Sequence, residues 1–153
     1  MTPRIEFTRL FPDALRPEVE AQIPDLAKLI PPWCQRVTIG YRGSGDGDTN
    51  ATVSTNFEYR NAFVCIRGEW VDDAPHVRRK ALRHEFAHVL LCPLSDWMRD
   101  TLKRLIPEGE SPKLSATLQE ELRHRVEGVT QDLRAVVERL VPGPPPPRKQ
   151  ARK

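Results

Sequence analysis

Apolar positions in the first half of the chain are spaced first as in a helix and then as in strands. Between residues 13 and 30 they recur three and four positions apart, as an amphipathic helix requires: Leu15, Val19, Ile23, Leu26 and Ile30. Pro24 lies inside this segment and should kink or split the helix. A short strand is predicted at residues 36–41. Residues 51–71 are rich in Thr, Val, Phe, Tyr and Ile, and they predict a β-hairpin that turns near residues 60–61.

The second half of the chain predicts helices. The first opens at an Asp N-cap at positions 72–73, with Pro75 in its first turn, and should end near residue 91 because Cys92 precedes a proline. A short helix follows at residues 96–105. The last helix is predicted at residues 112–141, with this apolar stripe: Leu118, Leu122, Val126, Val129, Leu133, Val136 and Leu140. The pattern therefore predicts an α+β fold with an N-terminal helix, a short antiparallel sheet, a central helix and a long C-terminal helix.

Length and composition narrow the class of protein. The 153 residues, 39% of them hydrophobic, are enough for one domain with a core, which we place at residues 1–141. No apolar run reaches the roughly 18 residues of a membrane span, and the first residues lack the apolar stretch of a signal peptide. The three cysteines are far apart, which argues against a secreted disulfide scaffold. We therefore expect a cytoplasmic protein without a membrane partner.

The net charge of +3 comes from the C-terminal end. Residues 142–153 are rich in proline and carry four basic residues and no acidic one, so they are expected to form a disordered tail. The rest of the chain has 20 Lys and Arg against 21 Asp and Glu. A body that is nearly neutral has no electrostatic surface for nucleic acid, which makes a nucleic-acid partner improbable outside the tail.

The segment His84-Glu85-Phe86-Ala87-His88 lies in the middle of the predicted central helix. Two histidines four positions apart on a helix differ by about 40° in direction and about 6 Å in height, so both imidazoles can bind one metal ion. Zinc favours nitrogen ligands of this kind. Glu85 is placed to take a proton from a zinc-bound water, whose pKa falls to roughly 7. The pattern indicates a zinc site with a general base beside it.

A catalytic zinc needs a third protein ligand, which must come from another part of the chain. Cys92 would lie about 6 Å too far along the helix and is expected to be a small buried residue, like the other cysteines. Asp96 could reach the metal only if the chain reversed at Pro93. The last helix offers three candidates on one face: Glu120, His124 and Glu127. Gly128, a poor helix former, suggests that another helix approaches closely at this point.

Residues 82–91 resemble the active-site helix of the zincin metallopeptidases, which carry the HExxH motif. Residues 127–133 are similar to the later helix that donates a glutamate in the gluzincins, and small zincin-like proteins encoded by phages and prophages have a similar length and layout. The resemblance implies that Glu127 is the third zinc ligand and that Glu85 activates a water for peptide hydrolysis. It also implies that an edge strand within residues 51–71 pairs with a peptide or protein substrate.

Two questions stay open at the level of sequence. The resemblance implies a Tyr, His or Arg that stabilises the tetrahedral oxyanion, for which His124 and Tyr59 are the candidates. Without such a group, the protein could be a zincin-fold module that binds zinc without turnover and acts in phage assembly or regulation. The presence of Glu85 favours hydrolysis, because a purely structural zinc needs no base.

Overall fold

The computed structural model describes residues 3–43, 51–56, 58–106 and 111–140. It contains four strands: β1 at Arg4–Phe7, β2 at Arg36–Arg42, β3 at Ala51–Asn56 and β4 at Asn61–Arg67. It contains five α-helices: α1 at Arg16–Glu20, α2 at Ile23–Leu26, α3 at Glu69–Asp72, α4 at Pro75–Leu105 and α5 at Pro112–Leu140. The tail expected at residues 142–153 lies outside the described residues.

The sheet is mixed, with strand order β1–β2–β4–β3. β1 pairs with β2 and β2 pairs with β4 in parallel, whereas β3 and β4 form the predicted antiparallel hairpin. The expected antiparallel sheet is therefore wrong for two of the three strand pairings, and β1 was not predicted. Apolar spacing carries no information on strand direction, which is set by the connections between strands. β3 lies at one edge of the sheet, on the side of the site described below.

The core lies between one face of the sheet and α4. Its fully buried members include an aromatic and two aliphatic residues of the helices, Phe86, Leu82 and Leu26, together with Ile39 and Ile66 of the sheet. Full burial of each such side chain contributes about 1.5–3 kcal/mol. The segment at residues 13–30 is split into α1, α2 and a short 3₁₀ turn at Ala27–Leu29, which confirms the expected interruption.

α4 is one continuous helix of 31 residues, which corrects two predictions. It does not end before Pro93, and no separate helix begins at residue 96. The bias of the residue before proline against helix is outweighed by the burial of Val89 and Cys92 on the same face. The hydroxyl of Ser95 also donates to the Cys92 carbonyl at 3.0 Å. At the other end the N-cap is Ala74, not the expected aspartate, while Pro75 occupies the first turn as predicted.

α5 packs against α4 through part of the predicted stripe, since Leu118, Val126 and Leu133 are half-buried. Val129 and Val136 are each 48% exposed, whereas Leu122 and the polar Thr130 are buried. The stripe was drawn from apolar residues alone, so it missed a buried hydroxyl that has a hydrogen-bonding partner on α4. None of the described helices is both long and apolar enough to cross a membrane.

Candidate metal centre

His84 and His88 of α4 and Glu127 of α5 lie together where the two helices meet. One ligand atom from each residue lies within 4.8 Å of the other two, so the group could hold a metal ion. The Nε2 atom of His84 is 3.0 Å from Oε1 of Glu127, and Nε2 of His88 is 3.3 Å from Oε2. The two Nε2 atoms are 3.1 Å apart. The helical spacing of four residues on α4 thus directs both rings at one carboxylate.

The donor set of this group fits a divalent metal ion. Two imidazole nitrogens and a carboxylate are ligands that zinc and several other transition metals accept. The side chains of His84 and His88 are only 15% and 20% exposed, and that of Glu127 is 39% exposed, which leaves one side of the group open. The three residues could therefore hold a metal ion, whose identity the donor set does not fix.

Burial lowers the pKa of both histidines. For His84 the loss of solvent is the largest cause, partly offset by the negative charge of Glu127. For His88 the loss of solvent is again largest, followed by the charge of His84. A lowered pKa keeps the imidazoles neutral at physiological pH, and the neutral ring is the form that binds a metal.

Glu85 projects from the same turn of α4 as His84 and is only 8% exposed. Its burial, and then the negative charge of Glu127, raises its pKa to about 8. In the metal-free protein this carboxyl group is therefore largely protonated at neutral pH. A cation held by Glu127 would oppose both causes and favour the ionised carboxylate.

The other residues considered as third ligand lie outside this group. Nε2 of His124 lies 3.1 Å from Oε1 of Glu120 on the exposed surface of α5, and Glu120 also binds Arg123. Asp96 lies two turns beyond His88 and pairs with Arg99 at 3.1 Å. Because α4 does not reverse at Pro93, Asp96 stays about 12 Å further along the helix axis than His88.

Cys92 is buried, as expected, and lies one turn beyond His88. Its thiol contacts the hydroxyl of Thr55 and lies 3.0 Å from Oδ2 of Asp96. Burial and the hydrogen bond to Asp96 raise the pKa of the thiol to about 12, so it is protonated at neutral pH and is a poor metal ligand. Cys34 is also buried, whereas Cys65 is half-buried, which corrects the expectation for that residue.

The expectation of a close helix contact at Gly128 is wrong. A Cβ atom built on Gly128 meets no atom within 4 Å, so no neighbouring element requires glycine at this position. The side chain of Glu127 is long enough to reach the histidines from the exposed side of the contact between α4 and α5. The glycine at position 128 has no structural explanation in the described residues.

A groove of about 690 Å³ opens beside the metal group. Its walls are residues 53–55 of the edge strand β3, Cys92 and Asp96 of α4, and Leu122 and Arg123 of α5. His88 and Glu127 also line it. The groove therefore connects two potential metal ligands with the free edge of the sheet.

Two polar residues near the group were not found from the sequence. Thr130, fully buried on α5, lies with its hydroxyl 3.1 Å from Nδ1 of His88. Arg134 lies one turn further on, and its positive charge contributes to the lowered pKa of His84. The only available signal was spacing, since both residues follow Glu127 on nearly the same helical face.

The two residues considered for oxyanion stabilisation do not join the group. Tyr59 follows β3 and is 71% exposed. His124 is 63% exposed and faces Glu120. The metal group is thus surrounded by Glu85, Thr130 and the charge of Arg134.

Comparison of the chain with protein-family models, with curated proteins and with solved structures finds no significant match.

Proposed function

We propose that the protein is a zinc-dependent peptide hydrolase of the gluzincin type, with His84, His88 and Glu127 as zinc ligands. The observation that supports it most is the convergence of the three ligand atoms within 4.8 Å from two different helices. A chance pair of surface histidines would have no reason to be buried against a carboxylate of another element. The resemblance of the HExxH helix to the zincins supports zinc over other metals.

Glu85 is proposed as the general base. Zinc at this position would polarise a peptide carbonyl and make a water molecule more acidic. The Glu85 carboxylate would take the proton of the attacking water and then give it to the departing amine nitrogen, so that it ends each cycle ionised. Its burial matters to this role because a carboxylate shielded from water is less stabilised by solvent and is a stronger base than one in water.

The groove supports a peptide as the substrate. β3 is an edge strand with one side unpaired within the described sheet, so an extended peptide could add to it through backbone hydrogen bonds. Residues 53–55 line the same groove as His88 and Glu127, which would bring the bound peptide near the metal.

A second candidate function is a zinc-binding module without turnover, serving assembly or regulation. It is favoured by one observation: Tyr59 and His124, the residues considered for the oxyanion, are both largely exposed. In this case the zinc ion would hold α4 and α5 together, and the groove would bind a partner without cleaving it.

Metal analysis tests the proposed centre. Wild type purified without added metal should contain one zinc per chain, and Glu127→Ala should contain none. His124→Ala is the matched control, because it lies on the same helix and is expected to retain zinc. Zinc-free wild type, even after zinc is supplied, or equal zinc in wild type and Glu127→Ala, would overturn the centre.

Glu85→Gln separates hydrolysis from zinc binding. The variant should retain zinc and the fold in both cases, because glutamine is nearly isosteric with glutamic acid. We expect it to abolish peptide cleavage, measured as new N-termini in a peptide library incubated with the zinc protein. Cleavage at the wild-type rate by Glu85→Gln would exclude Glu85 as the base, and no cleavage by wild type would favour the second candidate.

A further inference from the structure

The buried hydroxyl of Thr130 makes two polar contacts. Its Oγ1 is 2.8 Å from the carbonyl oxygen of Val126, one turn earlier on α5, and 3.1 Å from Nδ1 of His88 on α4. Thr130 is fully buried, so no solvent competes for these contacts. A hydroxyl has a single hydrogen, and it can donate to only one of these two atoms.

The chemistry of the two partners decides which atom receives the hydrogen. A carbonyl oxygen can only accept, whereas a ring nitrogen of neutral histidine either donates or accepts. The distance of 2.8 Å to the carbonyl is typical of O–H···O bonds, and that of 3.1 Å to the ring lies within the range of N–H···O bonds. Thr130 therefore donates to Val126 and accepts from Nδ1 of His88.

This assignment fixes the tautomer of His88. With its proton on Nδ1, the neutral ring presents an unprotonated Nε2 towards Glu127 and His84. An unprotonated nitrogen is what a metal requires, so this ligand needs no change of protonation to bind one.

His84 is held differently. Its Nδ1 is buried and has no hydrogen-bonding partner among the described residues. Its Nε2 is 3.0 Å from the Glu127 carboxylate and 3.1 Å from the unprotonated Nε2 of His88, both of which are acceptors. A single proton on Nε2 of His84 can donate to one of them, and the nearer, negatively charged carboxylate receives it. The metal-free ring therefore carries its proton at the atom that must bind the metal.

We propose that Thr130 is a positioning residue that presets His88 for metal binding, whereas His84 must change tautomer when the metal binds. The proposal rests on the proposed metal centre. On binding, the proton leaves Nε2 of His84 and a proton is taken up at Nδ1, so that the ring stays neutral. Thr130 acts only through His88 and does not touch the metal.

The tautomers can be read directly in the metal-free protein. Nitrogen-15 NMR of the histidine rings shows which nitrogen is protonated in a neutral imidazole. We expect His88 to be protonated on Nδ1 and His84 on Nε2 before zinc is added, and both to be protonated on Nδ1 afterwards. A metal-free wild type with His88 protonated on Nε2 would overturn the proposal, whatever the variants show.

Three variants test the role of the hydroxyl. Thr130→Val keeps the shape but removes the acceptor, and it should lower zinc affinity about 10–100-fold and release His88 from the Nδ1–H tautomer. Thr130→Ser keeps the hydroxyl and should restore both. Thr117→Val is the matched control, because Thr117 donates to the carbonyl of Lys113 at 2.9 Å on the same helix but has no histidine beside it.

The outcomes separate this proposal from the proposed function. If wild type does not bind zinc, the proposed metal centre is overturned. The proposed role of Thr130 in presetting His88 is then overturned too, even if His88 has the expected tautomer. Zinc binding by wild type with equal affinity and the same His88 tautomer in Thr130→Val would leave the metal centre standing and overturn the role of Thr130. Equal losses in Thr130→Ser and Thr130→Val would also overturn it.

Discussion

Glu85 is buried beside a second carboxylate, that of Glu127, and the cost of this position depends on pH. The pKa of Glu85 is raised to about 8 in the folded protein, from an ordinary value of 4.5 in an unfolded chain. The unfolded chain therefore loses this proton first as the pH rises. The contribution of protonated Glu85 to stability is complete below pH 4.5 and is lost as the pH rises towards 8.

Replacement of Glu85 by glutamine removes this dependence. We expect the metal-free Glu85→Gln protein to be more stable than metal-free wild type at high pH, by on the order of 4 kcal/mol at about pH 8 and about 1 kcal/mol at about pH 5. Urea unfolding of both proteins in the presence of a chelator measures this difference in stability. Both proteins contain the same histidines, so the contribution of the histidines to the pH dependence cancels. A difference that does not change with pH would contradict the raised pKa.

Cys92 allows a second test at the scale of one residue. Burial, and then the hydrogen bond to Asp96, raises the pKa of its thiol to about 12, so almost no thiolate is present at neutral pH. We expect Cys92 to resist iodoacetamide in the folded protein and to react after unfolding in urea. Peptide mapping by mass spectrometry measures the modification at each cysteine.

The serine variant of the same residue tests its relation to the metal. Cys92→Ser should retain the zinc content of wild type, because the thiol is not among the residues that converge on the site. Loss of zinc comparable to that of Glu127→Ala would show that Cys92 is a ligand.

At the scale of elements, the sequence predicted the positions of most elements better than the pairing of the strands. The spacing of apolar residues located β2, the hairpin of β3 and β4, and α5 to within a few residues. β1 was missed because Arg4–Phe7 is too short to show an alternating pattern, and its pairing with β2 depends on residues far away in the sequence. Parallel pairing likewise leaves no mark in a single strand.

The continuation of α4 through Pro93 is a tertiary effect, and it has a measurable cost. Proline at this position cannot donate to the carbonyl of Val89, and its ring crowds the preceding turn. We expect Pro93→Ala to raise the free energy of unfolding by about 1–3 kcal/mol. Urea unfolding measures this change.

Pro75→Ala is the matched control for that variant. Pro75 occupies the first turn of α4, where the missing N–H has no partner in the helix, so its replacement should have little effect. If the free energy of unfolding of Pro93→Ala were no higher than that of wild type, the result would contradict a continuous α4.

The candidate site was only partly accessible from the sequence. The HExxH spacing identified His84, Glu85 and His88, and the face of α5 narrowed the third residue to Glu127, Glu120 or His124. The structure brings Glu127 into the group and leaves the other two exposed. The role of Thr130 could not be predicted because it depends on a contact with His88, 42 positions earlier in the chain. No local sequence pattern indicates such a contact.

At the scale of the whole molecule, α5 depends chiefly on α4 for its place. Among the described elements, α5 has an extensive interface only with α4. In contrast, α4 also packs on the sheet and on the N-terminal helices. A metal held by His84, His88 and Glu127 would therefore cross-link the last helix to the rest of the fold.

This arrangement predicts an uneven effect of zinc. Hydrogen exchange of α5 amides should slow when zinc is added, because opening of α5 requires release of the metal, whereas the exchange of β2 and β4 should change less. Zinc at about 100 times its dissociation constant should add about 2.7 kcal/mol to stability. Exchange measured by mass spectrometry, with Glu127→Ala as the control that should show no slowing, tests the prediction.

The order of these residues along the chain has a consequence for biosynthesis. His84 and His88 are made on α4 well before Glu127 appears on α5, since the ribosome proceeds from the N-terminus. A metal ion met by the growing chain would find at first only two nitrogen ligands, and a two-ligand site would hold it loosely. The third ligand would arrive only once α5 has been made and packs on α4, so the proposed centre could be completed only late in synthesis.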